Sequence, residues 1–115
     1  MNEKLYNLKK LNEISQGDGD FVRSMVVTFV ENVTVDIDKI RSLISVNDWT
    51  AIGEKAHKLA SNFAYLGANI LHDLAAEIEK SVLMENNLTG VAVKTEKMCH
   101  NGMILVGQLE KDFDL

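Results

Sequence analysis

Hydrophobic residues recur along this chain at intervals of three and four, the spacing that places side chains on one face of an α-helix. The clearest stripe lies within residues 48–68 and consists of Ile52, Ala56, Leu59, Phe63 and Leu66. No stretch sustains the alternation typical of a β-strand. Proline is absent, and the seven glycines fall mostly between the periodic segments. The pattern therefore predicts an all-helical (all-α) chain.

The periodicity divides the chain into one short helix and four long ones. The short helix is predicted over residues 5–14, and the long helices over 20–46, within 48–68, over 70–85 and over 89–112. Four long amphipathic helices joined by short loops favour an antiparallel up-and-down four-helix bundle, with the short N-terminal helix capping it. The length of 115 residues suits a single domain that spans the whole chain.

The helix predicted over 20–46 carries more apolar surface than one buried stripe requires. Its inward positions are expected to be Phe21, Met25, Phe29, Val33, Ile37, Ile40 and Ile44, with four further valines at positions 22, 26, 27 and 30. The favoured interpretation is a broad core contact. The alternative is that some of these valines border a docking patch beside His57. We expect a monomer, although this apolar face leaves dimerisation open.

The composition indicates the cellular compartment and excludes some classes of partner. The single cysteine, Cys99, cannot form an internal disulfide, and no apolar run approaches the roughly 20 residues of a membrane span. The first residues also lack the apolar core of a secretory signal, so we expect a cytoplasmic domain with no membrane partner. The net charge is −5, and the basic residues are scattered, which argues against a nucleic-acid partner.

His57 is the candidate for chemistry. At about 100° per residue it lies roughly 140° around its helix from the centre of the apolar stripe, so it should point at solvent. Its neighbours one turn away are small, with Glu54 to one side: Gly53, Ala60, Ser61 and Ala64. A histidine surrounded by such small side chains can be reached by another protein, although an ordinary surface histidine fits the same pattern.

The residues around His57 resemble those of the histidine-containing phosphotransfer (HPt) domain family. The resemblance rests on Ala56-His57-Lys58-Leu59 followed by Leu66-Gly67-Ala68. The family pattern reads His-x-Leu-Lys-Gly-Ser, and then Leu-Gly-Ala at the helix end. The Asp48-Trp49 entry and the long amphipathic segment before it also fit. The resemblance runs from about Leu5 to Phe113, which is nearly the whole chain.

The resemblance implies that His57 is the phosphoacceptor of a phosphorelay intermediate. It would take a phosphoryl group from the aspartate of a response-regulator receiver domain and pass it to another receiver. The implied partners are receiver domains, with a hybrid sensor kinase as a further candidate. The receiver would supply the divalent cation, so no cofactor of the chain's own is expected. No kinase signature is present, which indicates a phosphoryl carrier without autokinase activity.

The same resemblance points to supporting residues around the histidine. By family spacing, Glu79 matches a polar side chain that orients the imidazole, although an ordinary solvated glutamate is equally consistent. The family's Lys three residues after the histidine is Ala60 here, and its next Gly is Ser61. Lys58 and Ser61 are then the candidate phosphoryl contacts, and Lys55 is expected to be a surface charge. These departures favour an alternative, a degenerate HPt-like docking module that binds a receiver or sensor kinase without carrying phosphate.

The remaining candidates are weaker. His72 and His100 are isolated in sequence and form no metal-ligand pair with His57, and paired Glu-x-x-His ligands are lacking. A bundle enzyme or metal carrier is therefore the third hypothesis, and no metal site is expected. Cys99 is predicted to be a partly buried small hydrophobe. Three carboxylates are predicted to lie on solvated helix faces: Asp36, Asp38 and Glu77.

Overall fold

The computed structural model describes residues 3–115. It contains α1 (Lys9–Ser15), α2 (Gly19–Ser45), α3 (Trp49–Tyr65), α4 (Asn69–Glu79), a π-helical segment (Lys80–Met84) and α5 (Val91–Asp112). The described residues include no β-strand. Among their helices, none combines the length and the hydrophobicity that a membrane-spanning segment requires.

The four long helices form a bundle in which neighbours run in opposite directions. Helix α3 packs against α2 and α4, and α5 packs against the same two helices, so α3 and α5 lie diagonally opposite. Phe29, early in α2, stacks on Tyr65 at the end of α3, whereas Asp36, farther along α2, lies beside Lys58 of α3. The predicted antiparallel up-and-down four-helix bundle with a short N-terminal helix is confirmed.

The first half of the buried stripe predicted on α2 is displaced, because Phe21 is exposed and Met25 and Phe29 are only partly buried against the core. The side chains that enter the core there are Val22, Val26 and Val30, whereas Phe21 is 45% exposed. Positions 21, 25, 29 and 33 are separated by three steps of four residues, which together drift about 120° around a helix. The valines and the later isoleucines follow at steps of four, four, three, four and three residues, and this mixture keeps them on one face. Val22, Val26 and Val30 therefore belong to the core, and Val27 is half-buried.

The chain before α1 is an extended strap and not the helix predicted from residue 5. The amide of Leu5 donates to Gln108 Oε1 at 2.7 Å, and the amide of Asn7 donates to the carbonyl of Leu66 at 2.9 Å. These two hydrogen bonds fasten the segment to α5 and to the end of α3. Helix α1 begins at Lys9.

Gly67 closes the α3–α4 connection against this strap. Its φ of +63° lies in the left-handed region, and a Cβ there would come within 2.2 Å of the Asn7 carbonyl oxygen. Glycine is the residue that meets both conditions, the conformation and the close approach. Gly67 thus ends the α3 region, as the sequence predicts.

The helix predicted over 70–85 changes its character partway along. The α-helical part ends at Glu79, and the next turn is π-helical, with the Glu85 amide donating to the Lys80 carbonyl at 3.0 Å. No periodicity in the sequence indicated this change. Single π turns are uncommon and often lie at functional sites.

Gly102 allows α5 to approach α2 closely, and it generates a stability prediction. A Cβ at Gly102 would lie 2.7 Å from Ile37 Cδ1, and Ile37 is fully buried. We expect Gly102→Ala to be less stable than Gly107→Ala by about 1–3 kcal/mol, the usual cost of overpacking a core. Gly107 has open space around it on the same helix, so the gain in helix propensity is common to both variants.

The measurement is urea unfolding of the two variants and the parent chain. Equal unfolding free energies for the two alanine variants would show that this close approach does not constrain the core.

Candidate functional site

His57 projects outward from the middle of α3. Asp48 caps the helix by accepting a hydrogen bond from the Ala51 amide at 3.2 Å, and the buried stripe that includes Leu59 and Phe63 fixes the helix rotation. The His57 side chain is 71% exposed. The outward orientation predicted from the helical register is therefore observed.

A carboxylate from α4 holds one side of the imidazole. His57 Nδ1 lies 2.6 Å from Glu79 Oε2, and the Glu79 side chain is only 17% exposed. A carboxylate is an acceptor, so in the neutral ring this contact favours the tautomer that carries its proton on Nδ1. The Nε2 lone pair is then free. The ring can act as a nucleophile on the side away from Glu79.

The surface beside His57 is nearly flat on its α4 flank. Gly53 and Ala60, one turn before and one turn after His57, are both buried, and Ala64 is half-buried. Ser61 is exposed one turn after the histidine, where its hydroxyl faces the same side of α3. A second protein can approach the imidazole without displacing a large side chain.

On the α2 flank, a buried carboxylate draws lysines toward it. Asp36 is 1% exposed, with Lys58 Nζ 3.6 Å from its Oδ2 and Lys55 Nζ 3.9 Å from its Oδ1. Within residues 3–115, Asp36 Oδ2 has no hydrogen-bond partner. The predictions that Asp36 is solvated and that Lys55 is only a surface charge are therefore wrong. Because the ammonium of Lys58 is attracted to Asp36, it is held on the α2 side of His57.

The burial of Asp36 had a signal in the sequence. Asp36 directly precedes Ile37 and lies one turn from Val33 and Ile40, so it borders the buried stripe of α2. A carboxylate at the edge of a stripe faces the neighbouring helix, and α3 presents Lys55 and Lys58 at that height.

The other histidines lie apart from this site. His72 Nδ1 pairs with Asp73 Oδ1 at 3.1 Å near the start of α4, and His100 is exposed on α5. Glu77 and Asp38 are exposed as predicted, and Glu77 accepts a hydrogen bond from Lys94. In the chain from residue 3 onward, no group of three His, Cys, Asp or Glu residues is placed to hold a metal ion.

Cys99 is a core residue. It is fully buried, more than the partial burial predicted, and this burial raises the pKa of its thiol to about 11. Since the thiolate is the nucleophilic form, Cys99 is not a candidate for chemistry near neutral pH.

Comparison with known proteins assigns the chain to a family and a fold. The model of the Hpt domain family matches residues 24–112, and the chain therefore belongs to the Hpt domain family. Its fold is similar to the crystal structure of histidine-containing phosphotransfer protein B (HptB) from Pseudomonas aeruginosa PAO1. The TM-score is 0.82 at 17% sequence identity, over 98% of this chain and 97% of that one. No curated protein matches the sequence.

The family assignment confirms the resemblance found in the sequence. The chain is a phosphotransfer-type HPt module, and HPt domains carry phosphoryl groups and are not enzymes. Membership also links the chain to two-component phosphorelay signalling with receiver domains.

The lysine cluster around Asp36 yields a stability prediction. The double variant Lys55→Met/Lys58→Met leaves the buried carboxylate without a cation. We expect it to lose about 3 kcal/mol of unfolding free energy, the lower end of the range for a buried charge that loses its partner. Adding Asp36→Asn should recover most of the loss, because the uncompensated charge is then absent.

Urea unfolding near neutral pH measures the unfolding free energy of the parent chain, the double variant and the triple variant. If the double variant is as stable as the parent chain, the lysines do not compensate the charge of Asp36.

Proposed function

We propose that this chain is a phosphorelay intermediate that accepts a phosphoryl group on His57 from a receiver-domain aspartate and passes it to another receiver. The observation that carries the proposal is the exposed imidazole in an HPt bundle. Its Nδ1 is hydrogen-bonded to Glu79, and the α3 residues beside it are small. This arrangement leaves one nitrogen accessible and orients it, as an acceptor of a phosphoryl group requires.

The transfer step follows from the two nitrogens of the ring. The Nε2 lone pair of His57 attacks phosphorus, and an N–P bond forms as the bond between phosphorus and the aspartate oxygen breaks. The receiver's carboxylate leaves with the electrons of that bond. The ring, which keeps its proton on Nδ1, becomes positively charged, and the Glu79 carboxylate compensates that charge. The reverse step returns the phosphoryl group to a second receiver.

Contacts to the phosphoryl oxygens must come from elsewhere than position 60, where Ala60 offers none. Ser61 supplies an exposed hydroxyl on the correct side of α3, and Lys58 supplies a flexible ammonium on the adjacent flank. In this proposal Lys58 exchanges Asp36 for the phosphoryl group, while Lys55 remains near Asp36. The divalent cation belongs to the receiver, and the chain has no autokinase activity.

An apolar surface beside the site is the proposed docking area for the receiver. This aromatic patch consists of Phe21, Met25 and Phe29 of α2 and Tyr65 of α3. The three α2 residues lie at successive intervals of four, and Phe29 stacks on Tyr65 with ring centroids 5.6 Å apart. Tyr65 is eight residues after His57, about 12 Å along the helix. A receiver that covers both His57 and this patch would bury apolar surface along α2 and α3.

The second candidate function is a docking module that binds a receiver or sensor kinase without carrying phosphate. Two observations favour it: the absence of a lysine at Ala60 and the attraction of Lys58 to the buried Asp36. Receiver binding without any transfer of label would select this alternative.

The first test is phosphoryl transfer from a phosphorylated cognate receiver. We expect the chain to take up label in an acid-labile, base-stable form, as for a phosphohistidine, and to take up none from ATP alone. His57→Gln should abolish labelling and leave the unfolding free energy within about 1 kcal/mol, because the side chain is exposed and its one contact is the hydrogen bond to Glu79. His100→Gln, another exposed histidine, is the matched control and should label normally. Labelling of the His57→Gln variant would refute the proposal.

The second test addresses the aromatic patch. Phe21→Ala should weaken receiver binding by about tenfold, since truncating an interface anchor costs on the order of 1–2 kcal/mol. Ile104→Ala is the control, because Ile104 is similarly exposed, at 43% against 45%, but lies on α5, diagonally opposite α3. Isothermal titration calorimetry with the unphosphorylated receiver measures the affinity of each variant. Equal affinities of the two variants would place docking elsewhere.

A further inference from the structure

Gly53 occupies a tight contact one turn before His57. It is buried between α3 and the π-helical segment. A Cβ on Gly53 would lie 3.0 Å from Leu83 Cγ and 3.1 Å from Val82 Cγ1. These separations are shorter than ordinary van der Waals contacts, so a side chain at position 53 requires Leu83 and Val82 to shift by a few tenths of an ångström. Val82 is buried, and we infer that part of this shift is taken up by the π-helical segment moving away from α3.

This contact and the His57–Glu79 hydrogen bond lie one helical turn apart in the same antiparallel interface. His57 follows Gly53 by four residues on α3, and Glu79 precedes Leu83 by four residues on the opposite element. Helix α4 continues into the π-helical segment without a break, so one continuous stretch of helical backbone carries both Glu79 and Leu83. The distance between the elements at Gly53 therefore constrains the distance at His57.

The geometry points to Gly53 as a positioning residue for the phosphoacceptor. Its missing side chain lets Leu83 and Val82 close against α3, and this closure brings the Glu79 carboxylate within 2.6 Å of His57 Nδ1. Gly53 acts on the imidazole only through Glu79 and touches no reacting atom. The inference rests on the proposed role of His57 for its effect on transfer, but its structural part can be tested without a receiver.

A purely structural role for Gly53 has different consequences. Glycine in a helix interior is unfavourable relative to alanine, so Gly53→Ala should also support α3 locally. If Gly53 only completes the packing, a side chain there changes stability and leaves the state of the imidazole unaltered. If Gly53 positions Glu79, the location of the ring proton changes.

The experiment follows the ring proton by ¹⁵N NMR of the unphosphorylated chain at pH 8, and then transfer from a phosphorylated receiver. In the parent chain we expect the His57 proton mainly on Nδ1. Gly53→Ala should move part of the population to Nε2–H, and Gly53→Val should move most of it. Transfer to the valine variant should slow by about tenfold, less than the hundredfold that a 1 Å misplacement can cause.

Two further variants make the test specific. Leu83→Ala, added to Gly53→Val, removes the side chain that collides, and it should restore both the Nδ1 proton and the transfer rate. Gly107→Ala makes the same change as Gly53→Ala in a helix where nothing lies within 4 Å of the new Cβ, and it should alter neither. Circular dichroism checks that each chain is helical.

The outcomes separate the possibilities. Loss of the Nδ1 proton in the Gly53 variants and its recovery with Leu83→Ala support the inference. An unchanged tautomer in both Gly53 variants overturns it, even if transfer slows. If the tautomer responds as expected but the parent chain accepts no phosphoryl group, Gly53 still positions Glu79, and the proposed relay function is the part that fails.

Discussion

Burial of the apolar stripe on α3 is the constraint on which the site depends. Ile52, Ala56, Leu59 and Phe63 are completely enclosed between α2, α4 and the core side of α5. Rotating α3 by one residue position in either sense would expose large apolar side chains, so the hydrophobic effect fixes the direction of the imidazole. No polar contact is needed to point His57 at solvent, and the contact with Glu79 is made by a ring that the core packing already directs outward.

Helical periodicity accounts for what the sequence could predict. The number of long helices, their antiparallel order and the outward position of His57 follow from apolar spacing, and the short motif around His57 indicated the family. The partner carboxylate Glu79 was named from family spacing, and the structure places it in contact with the ring. Its role as the orienter of the imidazole remains a prediction.

The features that escaped prediction depend on tertiary contacts. Residues 5–8 have a helical pattern, but hydrogen bonds from Leu5 to Gln108 and from Asn7 to Leu66 fix them as a strap along the bundle. The π turn after Glu79 has no periodicity of its own to read. On α2, the aromatic residues and the valines formed two competing stripes, and the packing against α3 and α5 selected the valines. In each case a distant part of the chain decided between local alternatives.

The strap before α1 has a consequence for how the module can be connected to other sequences. Lys4 Nζ lies 2.7 Å from Asp112 Oδ2, and the Tyr6 hydroxyl donates to the same carboxylate group, so the strap and the last turn of α5 are fastened together. The chain thus enters and leaves the bundle side by side. A bundle with this geometry can be inserted into a loop of a larger protein, or circularly permuted with a short linker, while its helices keep their order in space.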